Sequence, residues 1–184
     1  MAESQDNTSK IRMLPHDDEA EKGVLGALLL NSEVWDTASS SLEASDFYSP
    51  FNSNIYQAIS DIMEREGLKS FDGLILVDYL KRKNLLEKCG GIGYIAQLTN
   101  IQVVTSNIGR YVEIVQESSK RRRLFNVATA LEKDVFDPSV DIDDSLDESS
   151  KILTDALLKG MKENSSEFSL GHISTFTFEE ISKK

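Results

Sequence analysis

Cysteine, histidine and proline are all scarce in this sequence, and the scarcity excludes several kinds of site. Among 184 residues there are one cysteine, two histidines and three prolines. A single cysteine, Cys89, excludes an internal disulfide and fits a reducing compartment, so we expect it to be a small, semi-buried residue. His16 and His172 lie far apart, with no cysteine cluster beside either. No metal site is therefore predicted.

Long apolar runs are also missing from the chain. No stretch approaches the roughly 18 apolar residues that a membrane-spanning helix needs. The first twelve residues, MAESQDNTSKIR, lack the apolar centre of a signal peptide. These two features predict a soluble, cytoplasmic protein with no membrane partner.

Basic residues are outnumbered, with 20 lysines and arginines against 31 aspartates and glutamates and a net charge of −11. Because such a chain repels phosphate backbones, a helical module that grips nucleic acid over its whole surface is disfavoured. The main basic cluster, 120–123, precedes an acidic segment at 141–148. We expect the charges of these two segments to offset each other, within or between subunits, on a mostly solvated face.

Catalytic and nucleotide-binding motifs are absent as well. A P-loop needs Gly-Lys-Ser or Gly-Lys-Thr, and neither occurs anywhere in the chain. The glycine-rich stretch 89–93 follows no strand pattern and precedes no suitably placed lysine, so we interpret it as a helix break. No nucleophile–base pair is recognisable. We predict no catalytic residue, no cofactor site and no ATP hydrolysis by these residues alone.

The segment 15–30 predicts the best-defined helix. Asp17 and Asp18 stand where an N-cap belongs, and Glu21 completes the pattern of a capping box with Asp18. Apolar residues then recur at helical spacing. Two glycines inside the helix cost about 1 kcal/mol each. Tolerance by an ordinary buried helix explains them, although such a pair also suits the close approach of another backbone.

Helical spacing continues along the rest of the chain, and no alternating strand pattern interrupts it. Ser49 followed by Pro50 predicts one helix start, and Asp72 predicts another. In the helix that Asp72 begins, Leu74 is among the residues that we expect to face inward.

The predicted fold is all-α, a compact helical bundle followed by a long αα-hairpin. The bundle is predicted at 14–103 and the hairpin, with its second helix, at 104–162. Residues 1–13 are predicted to be a flexible tail and 163–184 a serine-rich linker. Because the apolar stripes before residue 103 can close on one another, we expect 14–103 to fold without the hairpin.

Several short motifs occur in order along the chain. They are Pro15, Ala20-Glu21 and Val24-Leu25-Gly26, then Asp46-Phe47-Tyr48, then Gly90-Gly91 with Tyr94 and Leu98, and finally Asn107, Tyr111 and Arg122. In this order and spacing they resemble the N-terminal domain of replicative DNA helicases of the DnaB family, over roughly 14–162. Asn52 and Ile75 stand where that family commonly has histidine and threonine, which are differences at the level of fold.

The resemblance implies a role in assembly and docking. In that family this domain pairs through its hairpin, and three pairs form a collar on a hexameric ring. The collar binds primase and, in some systems, the helicase loader. The parent enzyme unwinds DNA with ATP and magnesium in a RecA-like motor domain, toward which 163–184 would lead. The segment 146–161 matches the family's linker helix.

A paired hairpin also follows from packing, since two helices alone cannot enclose a core. A second copy is the economical way to cover the remaining apolar face. The residues predicted for this self-association or partner surface are Tyr111, Val115, Arg122, Leu124, Leu131, Ile152, Leu153 and Leu157. The alternative function is a stand-alone helical adaptor or regulator that binds a helicase ring or primase. A P-loop downstream in the reading frame separates the two hypotheses.

Overall fold

The computed structural model describes residues 13–65, 67–68 and 70–161, and every regular element in this part of the chain is helical. The α-helices are α1 (Asp18–Leu30), α2 (Trp35–Ser39), α3 (Pro50–Ser60), α4 (Gly73–Arg82), α5 (Gly91–Thr99), α6 (Ile108–Val135) and α7 (Ile142–Met161). Short 3-10 turns precede α2, α3, α5 and α6, and a π-helical turn extends α3. The predicted all-α class is confirmed. The predicted linker 163–184 and most of the predicted tail 1–13 lie outside the described residues.

The predicted helix starts are confirmed by their capping bonds. Asp17, Ser49 and Asp72 begin α1, α3 and α4, each by accepting a backbone N–H of the first turn. The capping box was wrong, however. Glu21 points into the protein and is 1% exposed, and its carboxylate bonds to Tyr48 and Asn52 rather than to the start of its own helix.

The central helix of the described chain is α1, which packs against α3, α5 and α6. Ile108, Val112 and Val115 of α6 belong to the same apolar core as α1. Burying a side chain of this kind contributes about 1.5–3 kcal/mol. The core therefore continues past the predicted boundary at residue 103. Independent folding of 14–103 stays a prediction, and this packing weighs against it.

Both glycines of α1 lie where another element comes close. A Cβ on Gly26 would stand 3.1 Å from the backbone oxygen of Leu98, and one on Gly23 would stand 3.1 Å from the ring of Tyr111. The absence of side chains thus lets the end of α5 and the start of α6 approach α1 closely.

The expectation that Leu74 faces inward was wrong, because its side chain is 80% exposed. The buried face of α4 consists of Leu76, Tyr79 and Leu80, on the opposite side of the helix. Leu74 and Ile92 instead line an open groove of about 370 Å³ between α4 and α5.

Cys89 is fully buried, more deeply than the semi-buried position that was expected, and burial raises the pKa of its thiol from 9.0 to about 11. The pKa of the thiol is thus higher in the native state than in the unfolded state. The neutral thiol therefore makes its full contribution to stability below pH 9, and this contribution is lost as the pH rises towards 11. The same rise lowers the thiolate fraction at pH 8 about a hundredfold.

We therefore expect a disulfide reagent such as DTNB to modify Cys89 at pH 8 about a hundredfold more slowly in the native protein than in the urea-unfolded protein. Equal rates in the two states would contradict the burial of Cys89.

Candidate self-association surface

The long helix α6 packs on the bundle only through its N-terminal part. Its buried side chains are those of Ile108, Val112, Val115, Gln116, Ser119, Arg122 and Val127. Val127, the last of them, lines a groove shared with α7. Beyond Arg123, the described part of α6 therefore projects from the bundle with α7 beside it.

Two of the eight residues predicted for the association surface are buried in the folded chain, and a third is half-buried. Val115 is 2% exposed and Arg122 is 8% exposed, while Tyr111 is half-buried against Gly23. Val115 and Arg122 are therefore corrected to structural residues, because the bundle already covers them. Tyr111 packs on the bundle with part of its ring, and its place on the association surface stays a prediction.

Arg122 holds α6 to two other segments. Its guanidinium donates to the backbone oxygens of Pro15, at 2.8 Å, and of Asp46, at 2.5 Å. It also lies over the ring of Tyr48, 5.7 Å from the centroid. Burial lowers the pKa of Arg122, and the nearby carboxylates of Glu21 and Asp46 oppose that effect. The guanidinium is thus a buried, bonded cation and is unavailable to a partner.

The two remaining predicted residues of α6, Leu124 and Leu131, lie on its outward face, in line with Ala128 and Val135, which were not predicted for this surface. Leu124 is 58% exposed, Val135 is 68% exposed, Ala128 is exposed and Leu131 is half-buried. Their spacing of four, three and four residues is that of the seam in a coiled coil. Nothing in the described chain covers this stripe fully.

A matching stripe runs along α7. Ile142 is 44% exposed, Leu146 is 52% exposed and Leu153 is half-buried. Ile152, which is 40% exposed, lines the groove towards α6 instead. Leu157 lies in α7, but its side chain is outside the part that the structure describes.

The two stripes share one side of the hairpin. The helices face each other at Asp134 and Ser145, where the Ser145 hydroxyl donates to the carboxylate at 2.5 Å. At about 100° per residue, each stripe lies roughly a quarter turn from that contact. Both quarter turns have the same sense when each helix is followed from its N-terminal to its C-terminal end. Because α6 and α7 run antiparallel and face each other, both turns lead to the same side of the hairpin. We call the combined surface the hairpin seam: Leu124, Ala128, Leu131, Val135, Ile142, Leu146 and Leu153.

The basic cluster makes its ion pairs away from α7. Arg121 pairs with Glu117 at 2.9 Å, and Arg123 pairs with Asp46 at 2.5 Å. No ion pair between 120–123 and the acidic side chains of α7 is present in the described part of the chain, although Arg123 and Glu148 line the same groove. The expected offset of the two charged segments, within or between subunits, stays a prediction.

The sequence did not predict the hydrogen-bond partners of two buried carboxylates, Glu21 and Asp46. Glu21 accepts hydrogen bonds from the backbone N–H of Tyr48, at 2.5 Å, and of Ser49, at 3.2 Å. It also accepts from the side chain of Asn52 at 2.9 Å, and Asn52 accepts from the Tyr94 hydroxyl at 2.6 Å. Glu21 thus sits at the N-terminal end of α3, where a negative charge suits the helix dipole.

A signal for Glu21 was present in the sequence. Glu21, Leu25 and Leu28 are spaced as one face of a helix, and both leucines are fully buried. A carboxylate on such a face must have partners, but its partners are 27–31 residues away. The second missed carboxylate, Asp46, bonds to Ser119 and Arg123 of α6.

Comparison with known proteins agrees with this architecture. Residues 13–117 match the family model described as the DnaB-like helicase N terminal domain. The chain belongs to this family. Its relatives include the replicative DNA helicase DnaB of Treponema pallidum, 36% identical over 71% of this chain and 30% of that protein. The replicative DNA helicase DnaC of Bacillus subtilis is 32% identical over 85% of this chain and 34% of that protein. The chain thus spans about a third of the length of such relatives.

Solved structures give the same result for the fold. The crystal structure of the N-terminal domain of DnaB helicase from Mycobacterium tuberculosis superposes with a TM-score of 0.69, at 29% identity, over 78% of this chain and 99% of that one. A DnaB-like replicative helicase, solved to show its interactions with primase, superposes with a TM-score of 0.55 at 22% identity. It covers 91% of this chain and 35% of that one.

Two other kinds of feature are absent from the part of the chain that the structure describes. None of the described helices combines the length and the apolar character needed to cross a membrane. No group of three histidine, cysteine or acidic side chains is arranged to hold a metal ion in the same part of the chain.

Proposed function

We propose that this chain is the N-terminal assembly and partner-docking domain of a hexameric replicative DNA helicase. The catalytic part of such an enzyme, with its ATP, magnesium and DNA sites, belongs to the two thirds of the relatives that this chain does not match. In this proposal the domain itself contributes architecture and docking rather than chemistry, within a cytoplasmic replication assembly.

The observation that carries the proposal is the hairpin seam. It places seven apolar or small side chains on one side of a projecting hairpin, at coiled-coil spacing. A second hairpin laid against it forms a two-fold, self-complementary contact. An interface of ordinary size needs roughly 800 Å² from each partner, and two helices of this length offer a surface of that order.

Primase is the partner that we propose for the assembled domain, with the helicase loader as a further one. Support comes from the DnaB-like helicase whose structure was solved with its interactions with primase and whose fold this chain shares. The test is a titration of residues 1–184 with the primase encoded in the same genome, followed by calorimetry.

We expect saturable binding by the wild-type domain and weaker binding by a variant that does not pair, since a collar presents its docking surface more than once. No heat and no co-migration at any concentration reached would contradict primase docking. Reading the frame beyond Lys184 separates this proposal from a stand-alone adaptor, because a P-loop there supports a helicase and an immediate stop codon supports the adaptor.

A further inference from the structure

The loop 43–48, between α2 and α3, makes an unusual set of bonds to α6. Asp46 is 4% exposed. Its carboxylate accepts from the backbone N–H of Glu43 at 2.8 Å, from the Ser119 hydroxyl at 2.7 Å and from the Arg123 guanidinium at 2.5 Å. One buried carboxylate therefore closes its own loop and holds one turn of α6.

The backbone of the same residue adds a further bond. The carbonyl oxygen of Asp46 accepts from Arg122, which also donates to the carbonyl oxygen of Pro15. Three side chains of α6, at 119, 122 and 123, are thus fixed to the loop and to the segment leading into α1. The only buried side chain beyond this point in the described part of α6 is Val127, beside α7.

From this arrangement we infer that Asp46 is a positioning residue that sets the angle at which the hairpin leaves the bundle. From Arg123 to Val135 the helix extends about 18 Å. A swing of about 10° at the loop therefore moves the far end of α6 by about 3 Å. Two hairpins that pair along a seam must hold that angle, so the inference rests on the proposed function where it concerns pairing.

The chemistry explains why a carboxylate is needed. Asp46 offers two oxygens to three donors. An asparagine has one oxygen and an NH₂ group, so in either orientation the NH₂ group meets an N–H of Glu43 or of Arg123. The Asp46→Asn variant keeps the size of the side chain and loses at least one of these bonds.

The direct test is a distance measurement by pulsed electron spin resonance. Spin labels at Gln97→Cys on α5 and Lys133→Cys on α6 report the angle, and both positions are exposed. Cys89 is buried and is not expected to take a label. All variants also carry Leu124→Asp and Leu131→Asp, so the distances are intramolecular whether or not the wild type pairs.

We expect Asp46→Asn to shift or broaden the distance distribution by about 3 Å. The matched control is Asp61→Asn, since Asp61 bonds to Tyr79, Gln57 and Arg65 within the bundle. The control should keep the distribution of its parent. If Asp46→Asn fails to fold, Ser119→Ala, which removes one bond, takes its place. If the distance distribution is unchanged in every folded variant at positions 46 and 119, the inference is overturned.

Pairing is tested separately, with the seam intact. We expect Asp46→Asn to weaken self-association about tenfold, because an unfixed hairpin must be ordered on binding. A broadened distribution with unchanged association overturns the link between angle and pairing. A wild type that never associates overturns the proposed function, whereas the distance result stands on its own.

Discussion

Replacing Leu124 and Leu131 together by aspartate is expected to abolish self-association of the chain while leaving the bundle folded. Both side chains lie on the outward face of α6, so the monomer tolerates the change. In a paired seam the two carboxylates would be buried without partners, at a cost of about 4 kcal/mol or more. That cost corresponds to a loss of at least about a thousandfold in association constant. Sedimentation velocity measures the association, and circular dichroism measures the helix content and the melting temperature.

The matched control replaces apolar residues that are exposed elsewhere. Leu74→Asp with Ile92→Asp alters side chains that are 80% and 52% exposed, beside the groove between α4 and α5. This variant has the same added charge and should associate like the wild type. If the variant at 124 and 131 also associates like the wild type, the hairpin is not the seam.

The second large effect is expected on stability, from the change Glu21→Ala. The carboxylate accepts from two backbone N–H groups at the start of α3 and from Asn52. Its removal leaves buried donors without acceptors and takes a negative charge from the N-terminal end of a helix. We expect the free energy of unfolding to fall by about 3–5 kcal/mol, a large share of the roughly 5–15 kcal/mol typical of a domain.

Urea denaturation measures this change, and Glu19→Ala is its control. Glu19 lies two residues away on the exposed face of α1, with a side chain that is 87% exposed. Its removal should change the free energy of unfolding by no more than about 0.5 kcal/mol. Equal losses for the two variants would mean that the buried bonds of Glu21 contribute nothing measurable.

The sequence predicted most reliably what depends on neighbouring residues. Asp17, Ser49 and Asp72 cap their helices as predicted, because a cap needs only a short side chain and the first turn of its own helix. The break at Gly90 was also predicted, and there the backbone has a φ of +80°. The all-α class followed from the helical spacing.

The misses concern contacts between distant parts of the chain. Glu21 was assigned to its own helix start, but its partners lie on the loop before α3 and in α3 itself. Asp46 was assigned no partner, although it bonds to residues 73 and 77 positions further on. No local pattern specifies which of many donors will approach a buried carboxylate.

Part of the predicted association surface was wrong for the same reason. Periodicity predicts that Val115 and Leu124 are both apolar positions of a helix, but not which neighbour covers each. The bundle covers the first, and nothing in the described chain covers the second. Near Arg123, which bonds to Asp46, the buried face of α6 gives way to an exposed stripe, and the sequence pattern does not reveal where this happens.

The claim that the hairpin seam pairs two copies is tested most directly by sedimentation equilibrium of the wild-type residues 1–184 over a wide concentration range. A reversible rise in weight-average mass from that of one 20.5 kDa chain towards twice that mass or more is the expected result. A single-chain mass at every concentration would contradict the account for these residues.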